Sequence, residues 1–92
     1  MAESKEEAKR IVEMLIEIGK FYFISQHYKE AILKYNEALK LAPKNKDILY
    51  NLGLVYEATN DTFKATDMYS QVLDIDSTHE SARKKLDKLV GS

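Results

Sequence analysis

Two histidines, a short acid-rich stretch and a group of lysines are the side chains in this 92-residue sequence whose type and spacing could carry chemistry. Asp74-x-Asp76-x-x-His79-Glu80 places four potential metal ligands close together. A calcium loop, however, needs a glycine at its sharp turn and ligands spread over about twelve residues. Neither is present, and Ser77-x-x-Glu80 reads instead as a capping box opening a helix. His27 and His79 fall in separate parts of the chain and read as solvated loop residues. The serines and threonines lie near no plausible base, and no glycine-rich phosphate loop exists. With no cysteine there is neither a thiolate nucleophile nor a disulfide framework. The expectation is a chain without catalysis, metal or cofactor. Arg83, Lys84, Lys85 and Lys88 make a small basic patch, but the formal net charge is −1 and cations are favoured near a helix C-terminus in any case. Nucleic acid is not an expected partner.

The elements that would position these groups are helices. Ala8, Ile11, Val12, Leu15, Ile18 and Tyr22 keep one apolar stripe at helical spacing, and Ser4-x-x-Glu7 is a capping box. The first helix is therefore predicted over roughly Ser4 to Ile24, followed by a Ser25-Gln26-His27 turn. A second helix runs from Tyr28 to Leu41, stopped by Pro43. A third starts at Asn45 or Lys46, with Asn45 as its cap, and ends near Thr59. Asn60-Asp61 turns the chain, Asn60 tolerating a left-handed conformation and Asp61 capping a fourth helix from Thr62 to Ile75. A final helix spans about Glu80 to Val90.

One periodicity organises all of this. Leu15, Ile18, Gly19, Tyr22, Ala31, Tyr35 and Ala38 return 34 positions later as Leu49, Leu52, Gly53, Tyr56, Ala65, Tyr69 and Val72. Each glycine costs about 1 kcal/mol of helix propensity against alanine. Close approach of the paired helix would offset it, with Ala31 and Ala65 as the opposing small surfaces. Tyr22 and Tyr56 are expected to bury their rings between hairpins and bring their hydroxyls to an edge.

The spacing resembles the tetratricopeptide repeat pattern W-x2-L-G-x2-Y…A-x3-F…P. The first copy reads Leu15-x2-Ile18-Gly19-x2-Tyr22, Ala31-x3-Tyr35, Ala38 and Pro43; the second keeps the register but has Ser77 where proline is expected. The resemblance implies an all-α fold of about five helices, antiparallel hairpins stacked as a short right-handed α-solenoid. It covers one domain over residues 1–92: repeat one at about 12–45, repeat two at 46–79 and a capping helix at 80–90. It also implies a non-enzymatic module that binds a peptide or partner helix in a concave groove lined by the first helix of each hairpin. By position that groove would show Ile16, Lys20 and Phe23, then Tyr50, Asn51 and Leu54, then Lys85. Apolar anchors among charges of both signs suit a peptide with one or two apolar side chains.

Some family members grip a chaperone C-terminus with a carboxylate clamp. The corresponding positions here carry Ile16, Lys20, Asn51, Ser81 and Lys85; only Asn51 is identical, and Lys85 gives up the two-pronged grip of arginine.

Several bounds complete the reading. Forty-five per cent hydrophobic residues with three Gly and one Pro is a globular, helix-friendly composition of one folding unit. No apolar run approaches the ~20 residues of a membrane span, and the acidic N-terminus is unlike a secretory signal; the default compartment is cytoplasmic. Stacked repeats generally need about three units, so two with a cap point to a monomer reinforced by the long first helix, an excerpt of a longer array, or weak self-association through that helix. The second function class is an engineered or structural repeat scaffold with no ligand of its own, for which the ends Met1-Ala2 and Gly91-Ser92 read as added flanks.

Overall fold

The computed structural model describes residues 2–91, with side chains from Ser4 onward; expectations for Met1 and Ser92 lie outside the described residues. Five α-helices follow in order: α1 Ala2–Ile24, α2 Tyr28–Leu41, α3 Lys46–Ala58, α4 Thr62–Ile75 and α5 Glu80–Leu89. No strand occurs among the described residues, and none of the helices is long and apolar enough to cross a membrane. The chain divides into two compact units, one up to Asn45 and one from Lys46 onward.

In the first unit α1 and α2 pack as a hairpin. Val12 and Leu15 from α1 and Ala31, Tyr35 and Ala38 from α2 form its buried set. The turn closes when the His27 amide donates to the Tyr22 carbonyl at 2.8 Å, which requires Gln26 to take a left-handed φ of 64°. At its far end α2 stops at Ala42, whose N–H still donates to Ala38, and Pro43 then blocks continuation. The first helix begins at Ala2 rather than Ser4, so Ser4 and Glu7 lie inside it and do not act as its cap.

The second unit repeats the hairpin with α3 and α4 and adds α5 against α4. Ile48, Leu49, Leu52 and Val55 from α3, Ala65, Tyr69 and Val72 from α4, and Ala82 from α5 are all buried. Each large aliphatic side chain among them contributes roughly 1.5–3 kcal/mol by leaving water. The turn is the same device: the Asp61 amide donates to Tyr56 at 2.8 Å and Asn60 has φ 63°. Asp61 caps α4 by accepting the Lys64 amide at 3.1 Å.

Three local expectations are corrected. The cap of α5 is His79, whose Nδ1 accepts the Ala82 amide at 3.1 Å, rather than a Ser77–Glu80 box. The chain before it is held by Asp76, which accepts the Thr78 amide at 3.0 Å and the Thr78 hydroxyl at 2.6 Å; the cap therefore lies two residues past Ser77, while the helix starts at Glu80 as expected. The glycines face tyrosine rings, not alanines: a Cβ on Gly19 would lie 2.6 Å from Cε1 of Tyr35, and one on Gly53 would overlap the ring of Tyr69, with Cδ1 at 2.8 Å. Those two rings are also the fully buried ones, whereas Tyr22 and Tyr56 are only half-buried.

Candidate protein-interaction site

The first helices of the two hairpins bring the expected recognition residues to their surfaces, one set in each unit. On α1, Ile16 and Phe23 are half-buried and Lys20 is exposed. Lys20 lies 3.9 Å from Glu17, an exposed pair that contributes little. The Phe23 ring leans on Tyr28 across the turn, centroids 5.9 Å apart.

On α3, Tyr50, Leu54 and Glu57 follow one another at i, i+4 and i+7 and so share a face, with Asn51 beside them. All four are half-buried. The Tyr50 ring sits between Tyr69 at 5.5 Å and His79 at 5.2 Å, both tilted. Tyr69 in turn donates its hydroxyl to Oε1 of Glu57 at 2.5 Å. The same oxygen lies 3.8 Å from Nζ of Lys85 on α5. Tyr50 and Lys85 are thus joined within the second unit through Tyr69 and Glu57. Burial of its ring raises the Tyr69 hydroxyl pKa first, and the Glu57 bond and charge raise it further.

Position for position, the first unit lacks this relay. Thirty-four residues before Glu57 stands Phe23, and the Tyr35 hydroxyl is buried without a hydrogen-bond partner among the described residues. Its pKa is pushed up to about 12 by burial and, secondarily, by the charge of Glu17. An unmatched buried hydroxyl costs about 1–3 kcal/mol.

A second charged feature lies at the entry to the second unit. Lys46 donates to Asp76 at 2.7 Å, clasping the start of α3 to the end of α4. The lysine bond and the two Thr78 bonds hold the Asp76 carboxyl well below the ordinary carboxylate range, and the same contact with Asp76 raises Lys46.

Sequence reasoning placed Tyr50, Asn51, Leu54 and Lys85 in this neighbourhood but missed what fixes them. His79 is a cap and a ring neighbour rather than a free loop residue. Its signal was present: it directly precedes the helix that it caps. Among the described residues no group of three or more acidic, His or Cys side chains could hold a metal ion.

A TPR repeat family model matches residues 19–60, and a tetratricopeptide repeat model matches residues 47–79. An uncharacterized protein ycf37 of Guillardia theta is 38% identical over 74 residues, covering 80% of this chain and 42% of the relative. The photosystem I assembly protein Ycf3 of Rippkaea orientalis is 40% identical over 58 residues, covering 60% of this chain and 34% of that protein. The chain therefore spans less than half the length of these curated relatives. Among solved structures, the first TPR of Spaghetti (RPAP3) bound to an HSP90 peptide, SRMEEVD, is similar with a TM-score of 0.54 and 18% identity, over 89% of this chain and 92% of that one. That likeness speaks for the fold alone. Five helices arranged as hairpins, the repeated Gly–Tyr contact and two family matches that together span residues 19–79 agree: this chain is a tetratricopeptide repeat protein.

Proposed function

We propose that the chain is a non-catalytic protein-interaction module that receives an extended peptide or a partner helix on the first-helix faces of its hairpins. The observation that carries this reading is the setting of Tyr50. Its ring is held by Tyr69 and His79 yet remains half-exposed beside Leu54 and Asn51. An aromatic ring already fixed by its neighbours loses little freedom on contact, which is the character of a binding anchor. Ile16, Lys20 and Phe23 offer a second, smaller set on α1. A protein partner is also in keeping with the photosystem I assembly role in the name of the Rippkaea orientalis relative.

The ligand is not read as an acidic C-terminus. Lys85 already faces Glu57, which offsets its charge, and Ile16 and Ser81 supply no cation. Heteronuclear NMR titration with a peptide library tests the proposal. Phe23, Tyr50, Asn51 and Lys85 should shift together; shifts confined to α2 and α4 contradict it. An acidic peptide and its amidated twin should bind alike, and a strong preference for the free carboxylate would overturn this ligand assignment. No shift with any peptide favours a scaffold without a ligand of its own.

A further inference from the structure

One face of α1 carries apolar side chains that its own hairpin leaves open. Ile11 is 41% exposed, Met14 55% and Phe21 65%, with Ile18 half-buried among them. Positions 11, 14, 18 and 21 keep the alternating three–four spacing of a two-helix seam. One repeat later Met14, Ile18 and Phe21 become Ile48, Leu52 and Val55, exposed by 0%, 1% and 0%. The fold buries in its second copy what it leaves bare in its first. An apolar patch of this kind marks an interaction surface.

The patch also contains its own complement. A shallow, solvent-open groove of about 200 Å³ lies on α1, lined by Glu7, Arg10, Ile11 and Met14. Residues at i, i+3, i+4 and i+7 are the four-sided hole that receives a knob from a facing helix. A phenyl ring can lie in this open groove, with the Arg10 guanidinium able to lie across it. Phe21 stands on the same stripe, near the other end. If a second α1 approaches antiparallel and seats its Phe21 in the hole, the two-fold axis seats the first Phe21 in the second hole. In that register Ile11 meets Phe21 of the second copy and Met14 meets Ile18, so every layer is apolar.

We propose that a second copy of this chain covers the face, forming an antiparallel α1–α1 dimer in which Phe21 of each copy fills the Glu7–Arg10–Ile11–Met14 hole of the other. Glu17 then lies near the axis, facing its own image, and this repulsion keeps the dimer weak and makes it tighten with salt.

Sedimentation equilibrium of the full chain from micromolar to millimolar tests the association, with wild type reversibly dimeric and Phe21→Glu monomeric. Phe21 is exposed enough for that variant to keep the helical spectrum and melt of the parent. Glu17→Gln should tighten the dimer severalfold. Because the chain has no cysteine, a spin label at Glu6→Cys reports geometry cleanly. At 1.5 Å rise per residue the two labels should lie about 30 Å apart along the axis, against about 10 Å for parallel helices. A wild type monomeric at millimolar concentration, a dimer indifferent to Phe21→Glu, or a short label distance each overturns the proposal.

Discussion

Tyr35 and Tyr69 occupy the same place in the two repeats but differ in one contact, and removing one oxygen from each should have opposite consequences. In Tyr69→Phe, a bond from a buried hydroxyl to an ionised carboxylate is lost. Such bonds are worth about 1.5–3 kcal/mol. Glu57 keeps Lys85 at 3.8 Å, and its side chain is 21% exposed, so water compensates in part and the lower end, about 1.5–2 kcal/mol, is expected. In Tyr35→Phe the hydroxyl removed has no partner among the described residues, so roughly 1 kcal/mol of desolvation cost is recovered. The variants should therefore differ by about 3 kcal/mol. At about 4–8 °C per kcal/mol for a domain of this size, their melting midpoints should stand at least ~10 °C apart. Circular dichroism melts and guanidinium titrations of both proteins provide the measurement. Phe23→Glu sharpens it, since it restores at position 23 the acceptor that the second repeat has at Glu57. On that background Tyr35→Phe should turn from stabilising to destabilising, and the double-mutant cycle should show the coupling. Equal losses from both single variants, or a larger loss from Tyr35→Phe, would refute the reasoning.

Three other outcomes follow from the packing and the turns. Gly53→Ala should destabilise by about 1–3 kcal/mol although alanine is the better helix former, because its Cβ meets the Tyr69 ring; an unchanged urea midpoint would count against the contact. Gln26→Gly should raise stability by about 0.5 kcal/mol, since φ 64° strains a residue with a Cβ, and a lowered melting point would contradict this. Alkaline pH should weaken the fold. Tyr35 is raised to about 12 and Tyr69 is raised too, so their contribution is complete below the unfolded value of about 10. From there up to its folded value, about 12 for Tyr35, each tyrosine costs at most about 1.4 kcal/mol per pH unit. Urea titrations at rising pH check this, and the Tyr35→Phe/Tyr69→Phe double variant should lose most of the slope.

Much of the fold was legible because its determinants are local. Pro43 and the Asn60-Asp61 pair mark helix ends by backbone chemistry alone, and α2 and α4 lie where those signals place them. Gly19 and Gly53 announced a close approach, but not to what, since one residue's spacing cannot show which neighbour fills the gap. The α5 cap was missed because Ser77 and Glu80 satisfy a pattern that His79, next to the helix, pre-empts. For the candidate site, the resemblance placed Tyr50, Asn51 and Leu54 together on the first helix of the second hairpin. The link from Glu57 to Tyr69 and Lys85 joins three helices, and no linear spacing encodes it.

The seating of each tyrosine ring on a bare glycine has a consequence for how such a sequence can change over time. Enlarging position 53 alone drives a Cβ into Tyr69, while shrinking position 69 alone opens a void where a ring had filled the core. Each single step is penalised, whereas a joint exchange of a larger residue for glycine and a smaller one for tyrosine conserves volume. The pair therefore behaves as one inherited character, and neighbouring sequences that lack it are reached only by crossing a less stable intermediate.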